Sequence, residues 1–213
     1  MTNPDYTHIE FVLDRSGSMQ TIKGDIEGGF NAFIADQASH PGRCTVSLAQ
    51  FDDHYDVVYT GCAIGDVPPL DLQPRGTTAM LDAIGRSIVS LGARLASLPE
   101  DERPGTVIVA VMTDGLENAS KEYTYPAIKS LITQQEQAYS WQFLYMGADQ
   151  DAIEVGARMG ISPDRSLTYG RGSSKAAYAA SSTLASSIRT ARAAGAPSAD
   201  LGFTQTDREA AKD

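Results

Sequence analysis

Phe11-Val12-Leu13-Asp14-Arg15-Ser16-Gly17-Ser18-Met19 is an apolar run that ends abruptly in one carboxylate and two hydroxyls at alternate positions. In an extended or tightly turned segment, positions i, i+2 and i+4 face the same way, so Asp14, Ser16 and Ser18 can aim their oxygens at one place. The stretch reads as the end of a buried strand that delivers ligands. Hard oxygen donors at the mouth of a sheet suit a small hard cation such as Mg²⁺, which takes few carboxylates and keeps some waters. With no Cys or His nearby, a softer transition metal is disfavoured.

Two more stretches extend this pattern. Val107-Ile108-Val109-Ala110-Val111-Met112-Thr113-Asp114-Gly115 is a second apolar strand ending in an acid, and Gly76-Thr77-Thr78-Ala79 lies between the two in the chain. Asp-x-Ser-x-Ser after a hydrophobic strand, then Gly-x-Thr, then Thr-Asp-Gly after a later strand resembles the metal-ion-dependent adhesion site of the von Willebrand factor A domain family. The resemblance covers roughly residues 5 to 195 and its specific motifs sit in three loops. It implies a stand-alone, bacterial-type domain whose metal is held by Asp14, Ser16, Ser18, Thr78 and Asp114. Thr77 could serve in place of Thr78, or only cap the helix that follows. Mg²⁺ or Mn²⁺ is the expected ion, with Ca²⁺ also possible. A site rich in neutral hydroxyls leaves the cation's charge undersaturated, so the implied function is recognition. The metal coordinates an Asp or Glu of a partner protein, and no catalysis is expected.

Each of these residues also has a purely structural reading. Asp14, Ser16 and Ser18 could each cap a helix, but three polar groups in alternation exceed what a cap requires. Asp114, after a run of apolar residues, would be costly to bury without a partner. Glu117 and Asn118 are equally a rim or a plain loop. Asp149 is expected as a helix cap, and Asp52 and Asp53 as solvated turn residues. His8, His40 and His54 are scattered and are assigned no catalytic role. A strand ending in Asp also opens the haloacid dehalogenase pattern, in which Asp14 would be a phosphoryl nucleophile; there the second acid falls two residues on, where this chain has Ser16. Gly170-Arg171-Gly172-Ser173-Ser174-Lys175 fits neither a P-loop nor a dinucleotide fingerprint and is expected to be a flexible link.

The remaining chain alternates strand and helix. Strands are expected at Thr7 to Leu13, Cys44 to Phe51, Tyr55 to Ala63, Thr106 to Met112, Trp141 to Met146 and Ser166 to Tyr169. Helices are expected from about Ile22 to residue 38, Ala79 to Leu98, Tyr123 to Tyr139, Asp149 to Met159 and Ser173 to Ala194. Asp52-Asp53-His54 makes a hairpin turn. The expected fold is therefore α/β: a doubly wound, mostly parallel six-stranded sheet with one antiparallel edge strand, helices on both faces, and the site at the topological switch point. Residues 1–195 form the domain in this reading, and the small, polar residues 196–213 a flexible tail.

Composition narrows the partners. With 27 acidic and 17 basic residues the chain carries a net charge of −10, which argues against nucleic acid. No apolar run approaches the length of a bilayer span, so a membrane is not expected as a partner. Cys44 and Cys62 are the only cysteines, and nothing at the N-terminus has the form of a signal peptide. Free thiols in a cytoplasmic protein are expected.

Overall fold

In the computed structural model, which describes residues 2–212, the motif-bearing strand β1 (Asn3–Asp14) lies in the middle of the sheet and is buried without interruption from Tyr6 to Asp14. It begins at Asn3 rather than Thr7, because its first residue pairs with Pro104 across a register irregularity. The chain continues through α1 (Lys23–Ser39), β2 (Arg43–Phe51), β3 (Tyr55–Ala63), α2 (Met80–Ala96), β4 (Pro104–Thr113), α3 (Tyr125–Tyr139), β5 (Gln142–Ala148), α4 (Ala152–Met159), β6 (Ser166–Tyr169), α5 (Ser174–Ala193) and α6 (Gln205–Ala210).

The sheet order is β3-β2-β1-β4-β5-β6, with β3 antiparallel to β2 and every other pairing parallel. The chain thus winds outward from β1 to one edge, then returns beside β1 as β4 and winds to the other edge. The switch point lies between the C-terminal ends of β1 and β4, where a doubly wound sheet opens a crevice. Asp14 ends β1 there, and Thr113 ends β4.

Burial on both faces explains why these strands read as continuous apolar runs. Ile9, Phe11 and Leu13 of β1, with Ile108, Ala110 and Met112 of β4, pack under α1 and α5. Val12, with Val107, Val109 and Val111, packs on the other face under α2 and α3. The same face of β1 carries His8 and Glu10, both buried. His8 Nδ1 meets Thr45 Oγ1 at 2.9 Å, Arg94 reaches His8 Nε2 at 2.9 Å, and Ser87 donates to Glu10 at 3.0 Å. This satisfied cluster accounts for His8 without any chemistry.

Phe11 is the hub of the first face, with Phe30 and Phe33 each edge-on at 5.0 Å. Phe11→Ala is expected to destabilise the fold by ~3–5 kcal/mol, read from the midpoint of denaturant unfolding. Cys44 is buried and Cys62 half-buried, and both are free thiols; burial pushes the Cys44 thiol up to about 11.

The residues after 195 depart from the expected flexible tail. Phe203 and Ala211 are buried in the same core cluster as β1, and α6 opens with a reciprocal capping box between Thr204 and Asp207. Arg165 donates to the carbonyls of Leu201 and Ser198, Arg208 donates to Ser166 O at 2.9 Å, and Gly170 N donates to Ala211 O at 2.9 Å. Buried Phe203, buried Arg165 and half-buried Arg208 overcome the polar composition of this segment.

Candidate metal centre

Asp14 is fully buried, and each of its oxygens takes a hydrogen bond: Oδ1 from Ser16 N at 2.6 Å and Oδ2 from Thr113 Oγ1 at 2.5 Å. Ser16 precedes a 3-10 turn (Gly17–Thr21), yet its side chain makes no capping bond. Instead Ser16 Oγ lies 3.1 Å from Ser18 Oγ, and Ser18 Oγ donates to Asp114 Oδ1 at 2.6 Å. The capping alternative for this stretch is therefore not what the side chains do.

Thr78 enters from the loop before α2. Its Oγ1 and Asp14 Oδ2 lie 3.0 and 3.8 Å from the point that a Cβ on Gly115 would occupy, so a side chain after Asp114 would press on the Thr78 hydroxyl. Thr78 is buried and Thr77 exposed. The difference is set by Asn118, whose Oδ1 accepts from Thr78 N at 3.0 Å while its own N–H donates to Thr78 O at 3.1 Å. Glu117 accepts from Leu81 N, Ala119 N and Ser120 N, and Asp82 accepts from the amides of Lys121, Glu122 and Tyr123. Glu117 and Asn118 thus pin the loop after β4 to the start of α2. They hold the site's frame rather than its rim.

The middle loop is tied to the first as well. Gly76 has φ +67° and donates no side chain where a Cβ would meet Asp53 Oδ1 at 2.4 Å; its carbonyl accepts from Gly17 N at 3.3 Å. Asp52, expected to be a solvated turn residue, is fully buried. Its Oδ2 takes Arg15 Nε at 2.9 Å and Arg75 Nε at 2.8 Å, Oδ1 takes His54 N at 2.6 Å, and its carbonyl accepts from Ala79 N at 2.8 Å. Asp52, Asp53 and His54 gather their ligand atoms within 4.8 Å of one another, the kind of acidic group that could hold a cation. Two guanidinium groups already neutralise Asp52, so this trio braces the loops on which Arg15 and Thr78 sit.

Electrostatics distinguish the two acidic places. Arg75 and Arg15 hold the Asp52 carboxyl down at about 2, outweighing its burial. Burial pushes the Asp14 carboxyl up to about 6, and the nearby Asp114 adds to the rise against the bonds from Thr113 and Ser16. Asp114 is also raised, first by burial, against its bond from Ser18 and the charge of Arg171. Its Oδ2 is buried and accepts no hydrogen bond.

The donor set is oxygen throughout: two carboxylates and three hydroxyls from three loops, with one buried carboxylate oxygen that accepts no hydrogen bond. Such a set fits a hard divalent cation, and a cation there would reverse the rise of both carboxyls. The sequence missed one neighbour. Arg171, in the segment read as a flexible link, lies with Nη2 3.5 Å from Asp114 Oδ2 and Nε 2.9 Å from Asp149 Oδ2. Asp149 pairs with it instead of capping α4; that cap is Asp151, which accepts from Glu154 N at 2.9 Å.

Among solved structures, the chain is similar to proximal thread matrix protein 1 from the mussel byssus, with a TM-score of 0.61 and 14% identity over 85% of this chain and 46% of that one. A further structure of the mussel protein, at TM-score 0.58 and 17% identity over 85% of this chain and 46% of that one, has a zinc-occupied adhesion-site motif. The von Willebrand factor domain of the type V pili tip protein Mfa5 from Porphyromonas gingivalis aligns at TM-score 0.59 and 11% identity, over 85% of this chain and 96% of that one. The fold is that of von Willebrand factor type A domains. This chain spans under half the length of the mussel protein. No sequence-family model and no curated protein matches it.

Proposed function

We propose that the chain is a divalent-metal-dependent protein-binding module, in which Asp14, Ser16, Ser18, Thr78 and Asp114 hold Mg²⁺ or Mn²⁺. The observation that carries this reading is Asp114 Oδ2, buried at the switch point with no hydrogen bond, among hydroxyls that bond to one another and to both acids. When bound, the cation supplies a Lewis-acidic position for an Asp or Glu side chain of a partner protein. The chain's own part is to keep the oxygens in place. Asn118 orients Thr78, Thr113 and the Ser16 amide fix Asp14, and Gly115 lets the loops approach. The partner is a protein rather than nucleic acid, in keeping with the chain's charge of −10. Among the described residues no helix is long and apolar enough to cross a membrane, and both cysteines are free, which accords with a cytoplasmic setting.

A phosphatase using Asp14 as nucleophile lacks its proton donor, because the second acid expected two residues on is replaced by Ser16. Capture of partners on immobilised protein tests the choice. Retention in Mg²⁺, with loss both in EDTA and in Asp14→Asn, is the expected result. Retention that ignores EDTA, or hydrolysis of a phosphate ester that Asp14→Asn abolishes, would overturn the reading. Within the site, Thr78→Ala is expected to weaken Mn²⁺ binding about tenfold. Thr77→Ala should leave it unchanged, and a calorimetric titration of each variant separates the two.

A further inference from the structure

Arg171 lies on the short turn Arg171–Ser173 between β6 and α5, on the opposite side of the sheet's midline from the loop that carries Ser16 and Ser18. Its side chain is 38% exposed and makes ionic contacts with two carboxylates: Asp149 Oδ2 at 2.9 Å and Asp114 Oδ2 at 3.5 Å. Asp149 is fixed for this contact. Its N–H donates to Tyr169 O at 3.0 Å, tying it to the residue that ends β6, and its φ of +49° is one of only two positive values among described non-glycine residues. The guanidinium is thus held by Asp149 at one end and at the other faces the Asp114 oxygen that accepts no hydrogen bond.

Resting on the metal reading above, we infer that Arg171 sets the affinity of this site for divalent cations by competing with them for Asp114. A guanidinium stays charged at any pH the protein survives. At such a distance from a ligand oxygen, it draws on the same lone pairs and repels a second positive charge through a poorly screened interior. It also lowers the cost of keeping Asp14 and Asp114 together in the fold. Two acids are thereby balanced by one built-in cation, and a divalent ion must overcome that cation to bind.

The test is the binding of Mn²⁺ to chelator-stripped protein, read by calorimetry, for the natural chain, Arg171→Gln and Arg171→Lys. Arg171→Gln is expected to bind Mn²⁺ about tenfold more tightly, a coupling of ordinary size between neighbouring charged sites. Arg171→Lys keeps the charge and should stay within about threefold of the natural chain, and the advantage of Arg171→Gln should shrink in high salt. Matching melting curves in EDTA establish that the variants fold. Equal or weaker binding by Arg171→Gln would overturn the inference while leaving the metal site standing. No Mn²⁺ uptake by any of the three would remove the metal site, and this inference with it.

Discussion

Asp14→Asn is expected to make the chelator-treated protein more stable at pH 7 and at the same time abolish its response to Mg²⁺ or Mn²⁺. Burial lifts the Asp14 carboxyl from 3.8 to about 6, and each pK unit corresponds to about 1.4 kcal/mol. Above pH 6 the folded chain therefore holds a charge that the unfolded chain carries more cheaply, and the neutral amide relieves about 1–3 kcal/mol of that cost. The sign follows from proton uptake. Between about pH 4 and 6 the folded state binds more protons at Asp14 than the unfolded state, so this contribution raises stability as pH falls from 7 towards 5. The raised carboxyl of Asp114 acts in the same sense. Melting temperatures in EDTA at pH 7 and pH 5 check this: the natural chain should gain on acidification, and Asp14→Asn should gain less. With Mn²⁺ added at pH 7 the natural chain should melt higher, while the variant stays put. A variant that is less stable in EDTA, yet still stabilised by Mn²⁺, would contradict both halves. This opposition of stability and binding is what a functional site built from buried like charges entails.

Asp52→Ala is expected to have the larger effect on folding, a loss of ~3–5 kcal/mol, because it strands Arg15 beside an empty partner position and removes a ligand of Arg75. Arg15 keeps a second ionic contact with Asp56, and Arg75 is mostly exposed, so the damage centres on Arg15 and on the His54 turn. Asp52 acts on pH in the opposite direction from Asp14. Its carboxyl is held at about 2, so its contribution is fully present above pH 4 and is lost as the pH falls towards 2. Denaturant unfolding at pH 7 measures the loss, and a change below about 1 kcal/mol would show that Arg15 does not depend on this partner. Because Ala79 N donates to the Asp52 carbonyl one residue after Thr78, the variant should also loosen the middle loop and weaken Mn²⁺ binding.

The parts of this molecule legible from sequence are those encoded by local periodicity. Phe11, Leu13 and their alternating neighbours mark a strand buried on both faces, and the helix between Met80 and Ala96 shows its apolar stripe at steps of three and four. The same holds for the doubly wound arrangement with one antiparallel edge strand. The oxygen-bearing residues could be picked out because each follows an apolar run or opens a helix; hydrogen bonds link Asp14, Ser16, Ser18 and Asp114, and the hydroxyl of Thr78 lies beside Gly115.

What escaped the sequence depends on contacts between distant segments. Nothing local to Asp52-Asp53-His54 announces that Arg15 and Arg75, 37 and 23 residues away, will close on Asp52 and bury it. Arg171 sits among glycines and serines that read as a linker, and its pairing with Asp149 and Asp114 exists only once β4, β5 and β6 lie side by side. The choice between Thr77 and Thr78 falls to Asn118, 40 residues further on. The residues after 195 look too small and polar to fold, and they are held by Phe203 and by the bonds that Arg165 and Arg208 make at the start of β6.

The central claim is that oxygens from three loops converge on one divalent ion. It is tested most directly by titrating Mn²⁺ into chelator-stripped protein at pH 7 and counting sites by calorimetry. One ion per chain is expected, lost in Asp14→Asn and in Asp114→Ala while both variants stay folded. Absence of uptake by the natural chain, or uptake undiminished in those two variants, would contradict it.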